Sequence, residues 1–475
     1  MKVLCEVLFA LICLHIVAGF GGLTRLRIQQ ETRKDMSDDG KKRFDKHQKA
    51  MEQLVKLSNQ IHDVKPSKDD DKFNLAPMSN PSMYQGDMIL NKHQSEYLLA
   101  EAKMKLEAKH ANKTGPDAEK EIVNKLKKNR AYKKNSPFKW KFPIPYYIDG
   151  VKSVGVIDNA IKNMERETCL TFKKTGPFKD RLGFRIFPGQ GCYSYIGPIS
   201  DNKPQDVSIG EGCEWNGIVQ HEVSHALGLF HEQSRPDRDN YLDIAIQNVS
   251  PNQRHNYDKS SLAETETFGI PYDYGSHMQY DKKAFSSNGQ LTMIPKNKLY
   301  VNTIGQFGKM QFNDVKLLNT IYCSNICKGG IKCNNGGYED PKKCGTCRCP
   351  SMLGGPTCED VAKNPPSCGK ENIMTASSQE KSFSIDGVKN CVFLIKAENN
   401  KKVKISIDKG NFNPAERCFP GIALQIKYNI DKTITGPTFC GVVKPQALIS
   451  EGNQMLLNYV GTSSQHMLKF RYKQA

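Results

Sequence analysis

The run from Gln220 to Asp239, QHEVSHALGLFHEQSRPDRD, constrains this chain more than any other feature. His221 and His225 are four residues apart, so on a helix they share one face and can grip one metal ion from a single rigid element. Glu222, next in line, points at the water that would complete the metal's shell. Gly228 is the residue type that most readily takes the left-handed backbone ending a helix, and such a turn would deliver His231 as a third ligand. Three neutral imidazoles with an open fourth position describe a catalytic zinc site, whereas a structural zinc site closes that position. The spacing therefore predicts one Zn2+ held by His221, His225 and His231, with Glu222 as general base.

A bare HExxH arises by chance in many helices. Here the pattern extends to HExxHxxGxxH, and Ser276, His277, Met278, Gln279 and Tyr280 follow downstream, which together make the metzincin signature with its Met-turn. The residue after the third histidine is Glu232, and with Gln233 to Asp239 it resembles the astacin family. Gly191 to Gly217, Tyr272 to Tyr280, Ala284 to Pro295 and Ile304 to Gln306 resemble the same family, so that the likeness runs from about Ala131 to Cys323, the size of one core. Gln279 stands where the family often has His, and HEVSH replaces the commoner HELMH; neither position carries a ligand. The resemblance implies an α+β metzincin domain with zinc in a cleft between two subdomains. It also implies that Tyr280 donates a hydrogen bond to the oxyanion and that Met278 forms an apolar floor beneath the metal. Cys192–Cys213 and Cys169–Cys323 are the disulfides it implies.

A chain of 475 residues is too long for one core. Its sixteen cysteines, seven of them bunched from Cys323 to Cys358, point to an oxidising compartment. Residues 1–19 read as a secretory signal peptide: Lys2, an apolar run from Val3 to Val17, then Ala18 and Gly19. Its removal takes Cys5 and Cys13 and leaves an even number. No later stretch reaches the ~18 apolar residues of a membrane span, so a secreted, extracellular protein is expected. The sequons at Asn112 and Asn248 agree with that route. The net charge of +18 invites a nucleic-acid partner, yet the lysines are scattered and no nucleic-acid motif accompanies them.

Residues 20–130 are polar, with a loop-like stretch at Pro66 to Pro81 and a helix-favouring one from Asn91 to Leu126 interrupted near Gly115 and Pro116. Such a segment is not expected to bury much of a core, and it resembles a propeptide. Within it Tyr84, Gln85, Gly86 and Asp87 resemble the astacin latch FxGD, with Tyr in place of Phe. The resemblance implies that the Asp87 carboxylate binds zinc and silences the zymogen. Without the catalytic domain, Gly86 and Asp87 would read as an ordinary turn. Lys127, Lys128 and Arg130 offer a processing site before Ala131, with Lys134 a rival, and the resemblance implies that the new amino terminus is held near Glu232.

Cys327, Cys333, Cys344, Cys347, Cys349 and Cys358 resemble an epidermal-growth-factor-like (EGF-like) module at 324–359, whose pairing would be first to third, second to fourth and fifth to sixth. A thiolate zinc site is the rival. Residues 368–475, with four further cysteines and strand-like runs, look like a CUB β-sandwich; the lysines between Lys396 and Lys409 read as a solvated face. The expected function is a secreted zinc endopeptidase made as a zymogen and acting on extended polypeptides, which an exposed sheet edge in the catalytic domain holds by strand addition. Matrix or cuticle proteins are among the candidate substrates, and the EGF-like and CUB modules would bind other extracellular proteins. The alternative is an inactive extracellular EGF/CUB interaction protein.

Overall fold

The structure, a computed structural model, describes residues 23–65, 72–73, 76–113, 115–128, 138–200, 202–260 and 266–475. The signal-peptide reading, Arg130 and Ala131 lie outside them.

The segment before residue 130 builds four helices, α1 (Arg25–Lys34), α2 (Asp38–Ile61), α3 (Lys92–His110) and α4 (Pro116–Lys128). Ser37 caps α2 through its hydroxyl, which accepts from the Gly40 N–H, and Asp38 and Asp39 sit in the first turn where the helix dipole favours them. Asn91 and Gln94 form a capping box on α3. The break between α3 and α4 falls where Gly115 and Pro116 place it. The expectation that this polar segment buries little is corrected. Met51, Leu54 and Val55 of α2 pack with Tyr97, Leu98, Ile122 and Leu126, while Phe44 and Met83 pack onto Phe187, Tyr193 and Tyr195 of the next domain. Amphipathic helices need few apolar residues when a neighbouring domain supplies the other side of the core.

Residues 138–323 hold a six-stranded sheet. Its order is β1 (Met88–Ile89), β5 (Cys192–Tyr195), β6 (Pro204–Ile209), β4 (Gly183–Phe187), β2 (Ile144–Ile148) and β3 (Phe172–Lys174). Only β5 runs antiparallel to its neighbour β6; β1, contributed by the N-terminal segment, lies parallel on β5. Side chains alternate across the sheet. Phe184, Ile186, Val207 and Ile209 face α5 (Val154–Glu167) and α6 (Asn216–Ala226) in one apolar cluster, whereas Arg185 and Asp206 point the other way and pair at 3.2 Å. After α6 the chain is mostly short turns, with a two-stranded antiparallel ladder of Leu242–Ile244 and Met293–Pro295, until α7 (Phe312–Cys323) packs back into that cluster. Cys169–Cys323 and Cys192–Cys213 are bonded.

A small module follows, stapled by Cys327–Cys344, Cys333–Cys347 and Cys349–Cys358, the pairing the EGF-like resemblance implies. Residues 373–474 then form two antiparallel-rich sheets, one centred on Lys389–Lys396 and Gln454–Gly461, the other on Val403–Asn411 and Met467–Gln474. Cys368–Cys391 and Cys418–Cys440 tie this sandwich, and Lys396, Lys401, Lys402 and Lys409 are exposed on it. The sandwich packs against residues 241–304, where Tyr272, Tyr274 and Tyr300 share a core with Leu424 and Ile426. Among the described residues no helix is long and apolar enough to cross a membrane.

Candidate metal centre

Helix α6 lays His221 and His225 on one face and ends at Ala226. Gly228 then takes φ +101°, and the Leu229 N–H returns to the Ser224 carbonyl at 2.9 Å, so the chain doubles back and brings His231 to the other two. Each ring is oriented through Nδ1. His221 Nδ1 donates to the His277 carbonyl at 2.7 Å, His225 Nδ1 to the Leu229 carbonyl at 2.7 Å, and His231 Nδ1 to Gln85 Oε1 at 3.0 Å. An oxygen acceptor at each Nδ1 fixes the proton there, which leaves every Nε2 as a bare lone pair.

Those three lone pairs face one carboxylate. Asp87 Oδ2 lies 3.2 Å from His221 Nε2 and 3.1 Å from His231 Nε2, and Oδ1 lies 3.6 Å from His225 Nε2. His221 Nε2 and His231 Nε2 are themselves 3.4 Å apart. Acceptors crowded around one buried point repel unless a cation sits among them, and three imidazole nitrogens with one carboxylate oxygen form the four-donor set tetrahedral zinc takes. Asp87 Oδ1, His225 Nε2 and both oxygens of Glu222 are buried without a hydrogen-bond partner, a cost that a metal and its water would relieve. The residues present therefore fit a single metal ion.

Burial holds the His225 imidazole down to about 3 and His231 below its ordinary range. Burial also pushes the Glu222 carboxyl well up, and the nearby Asp87 charge adds to that. For Asp87 burial acts upward as well, while positive charge among the imidazoles, His231 foremost, holds the carboxyl well below its usual value, the same preference for a cation at this point.

The loop around Met278 supports the centre from below. Asp314 Oδ1 accepts from the Ser276 hydroxyl at 2.5 Å and Oδ2 lies 2.9 Å from His277 Nδ1, fixing the turn whose carbonyl orients His221. Met278 is buried in the apolar cluster with Val223 and Ala226. The Tyr280 ring is centred 4.5 Å from that of His231, and its hydroxyl donates to the Gln85 carbonyl. Glu232 accepts from the Asp273 N–H at 2.8 Å and from Arg235 at 3.2 Å, and burial pushes its carboxyl up to about 8 despite that arginine.

All six residues singled out from sequence meet here: His221, Glu222, His225, His231, Tyr280 and, from the N-terminal segment, Asp87. Gly86 takes φ +80°, and a Cβ on it would lie 2.7 Å from the Phe285 ring and 2.9 Å from the Met78 carbonyl, so glycine alone fits the turn that aims Asp87. The segment also grips β5, whose Cys192 N–H donates to the Pro77 carbonyl at 2.8 Å and whose Ser194 N–H donates to the Asp87 carbonyl at 2.9 Å. Gln85, His277 and Asp314 belong to the site without having been singled out. Gln85 lay inside the quoted latch, with nothing in its spacing to say it would orient an imidazole; Asp314 carried no signal at all.

Comparison with known proteins agrees with this geometry. The family model for the astacin peptidases matches residues 132–323, and the CUB domain model matches residues 368–473. The chain is 34% identical over 411 residues to zinc metalloproteinase nas-34 of Caenorhabditis elegans, covering 85% of this chain and 66% of the relative. It is 40% identical over 311 residues to zinc metalloproteinase nas-37 of the same organism, covering 65% of this chain and 39% of that one. The chain thus spans between about two fifths and two thirds of the length of these relatives. Among solved structures, high choriolytic enzyme 1, a hatching enzyme zinc-protease from Oryzias latipes, matches at 35% identity with a TM-score of 0.34, covering 38% of this chain and 88% of the other.

Proposed function

This chain belongs to the astacin family, and from that premise we propose that it is a secreted zinc endopeptidase made as an inactive precursor. The segment before about Arg130 is its propeptide, and residues 131–323 are its catalytic domain. The observation that carries the proposal is the convergence of three unprotonated Nε2 atoms beside a Glu222 carboxyl that has no partner in the protein.

His221, His225 and His231 would hold the metal, each kept in one tautomer and one orientation by its Nδ1 acceptor. Zinc, when bound, would supply Lewis acidity for the scissile carbonyl and the water. Glu222 takes the proton of the attacking water and passes it to the leaving amine. The Tyr280 hydroxyl donates to the carbonyl oxygen as charge develops on it. In the precursor that hydroxyl is engaged by the Gln85 carbonyl, and Asp87 stands where water is needed. Once the propeptide has left, β5 offers its N–H groups to an extended polypeptide. Proteins of the extracellular matrix or cuticle have the right form for such substrates, and the EGF-like and CUB modules are proposed to engage further extracellular proteins.

The test is hydrolysis of casein by the protein after removal of its propeptide. A zinc chelator should abolish cleavage and added zinc should restore it. Cleavage that persists under full chelation overturns the proposal.

A further inference from the structure

Beside His221 and Tyr280 lies a cavity of about 960 Å³ whose walls come from three separate parts of the chain. Trp215, Ile218 and Phe307 belong to the catalytic domain, Pro77 and Met78 to the propeptide, and Arg417, Phe419 and Ile422 to the C-terminal sandwich. That third wall is fixed in place. The Cys418 N–H donates to the Asn302 carbonyl at 2.6 Å, and Lys282 Nζ donates to the Glu416 carbonyl at 3.1 Å. The Cys418–Cys440 bond anchors the same segment within the sandwich. Phe419 rests on Gly308, where a Cβ would come within 2.5 Å of its ring, and its ring centroid lies 6.2 Å from that of Phe307. Phe307 in turn meets Trp215 edge-on at 5.1 Å.

From this we propose that the segment from Arg417 to Ile422 of the C-terminal sandwich is a wall of the substrate cleft, and that the pocket it completes selects an apolar side chain of an extended polypeptide substrate. The precursor already places such side chains there. Pro77 and Met78 line the cavity, and Pro77 is held by the β5 edge at Cys192, so the propeptide lays apolar side chains beside this wall while using the edge a substrate would use. At the wall Asp281 and Arg417 pair at 2.9 Å with the guanidinium 4.9 Å over the Phe307 ring, while Lys283 and Glu416, also on the lining, are exposed to solvent. The surface of Trp215, Ile218, Phe307, Phe419 and Ile422 favours an apolar side chain. The catalytic domain thus has an incomplete pocket until the sandwich closes it. Phe419 and Ile422 are specificity-determining residues.

This inference rests on the endopeptidase proposal, and the experiment separates the two. The full mature chain is offered ten-residue fluorogenic peptides in which leucine, alanine, lysine or aspartate is scanned through each position. Fluorescence anisotropy then measures the binding of the same peptides to the mature Glu222→Gln protein, where no turnover is needed. One position should favour leucine over alanine in both readouts. Phe419→Ala should lower that preference about 10-fold, the scale of an apolar group in its pocket. Ile422→Glu, which retains the Phe419 contact with Gly308, should invert the preference at that position from leucine toward lysine. Preferences that match the parent chain in both variants overturn the pocket. If the parent binds the leucine peptide through Phe419 but cleaves nothing, the peptidase proposal fails while the pocket stands.

Discussion

Two parts of this chain pack against the catalytic domain, and they hold on in different ways. The N-terminal segment is attached through a small apolar cluster, where Phe44 and Met83 meet Phe187, Tyr193 and Tyr195, and through several polar contacts. Ser37 donates twice to the buried Asp206, Arg43 to the Ile199 carbonyl, and Ser58 and His62 meet Asp258 at the surface. The C-terminal sandwich shares a continuous apolar core with the domain, and its main polar anchor is buried: Asp273 accepts from Thr435 N and Oγ1. The polar contacts of the first can be replaced by water, whereas the continuous apolar core of the second favours a part that stays. On the proposed function the first is the part to be removed and the second the part that is kept.

Removal of the N-terminal segment matters to activity only if a catalytic centre lies beneath it. Glu222→Gln in the mature chain should therefore lower hydrolysis by ~10² to 10⁴-fold while bound zinc, measured by elemental analysis, is unchanged; parental activity in this variant would leave the cover nothing to silence. Tyr280→Phe removes one hydroxyl and should lower turnover by ~10² to 10³-fold, again with metal retained. Asp87→Ala addresses the cover directly. In the uncleaved precursor it should raise activity on a small peptide by ~10 to 10²-fold, the worth of one charge-assisted contact. A precursor variant as silent as its parent would mean that the segment blocks the cleft by bulk alone.

The permanent side is probed by Thr435→Val, which withdraws a hydroxyl from the buried Asp273 carboxylate. It should cost about 1–3 kcal/mol of stability in calorimetry of the mature chain without altering latency of the precursor. The smallest effect belongs to the surface pair of His62 and Asp258, 2.9 Å apart. The hydrogen bond to Asp258 raises the His62 pKa above its ordinary value. Its contribution to propeptide docking is thus present below pH ~6.5 and lost as pH rises through the raised folded value. Solvent screening limits it to a few tenths of a kcal/mol, read as a slightly weaker grip of the isolated propeptide at alkaline pH that His62→Ala abolishes.

What was legible in the sequence followed from short-range geometry. The spacing of His221, His225 and His231 around Gly228 fixes three ligands because a helix and one left-handed turn are local structures. The latch from Tyr84 to Asp87 was legible through its resemblance, although 134 residues separate Asp87 from His221. The core of the N-terminal segment was not, because Phe44 and Met83 gain their burial from Tyr193 and Tyr195, far along the chain. Nor was the Asp273 to Thr435 contact, 162 residues apart, since single polar residues carry no periodicity and their partnership is decided by how two domains dock.

Asp87 lies about forty residues before the expected cut near Arg130, with α3 and α4 between them. Severing the chain there leaves the carboxylate where it was, held by a folded body with its own core and its grip on β5. Covalent processing and the onset of activity are then separate events, and the second is a dissociation. On the proposed function each molecule would start with one equivalent of its own inhibitor at hand, so that dilution after the cut, as much as the cut itself, would set when and how far from its source it begins to work.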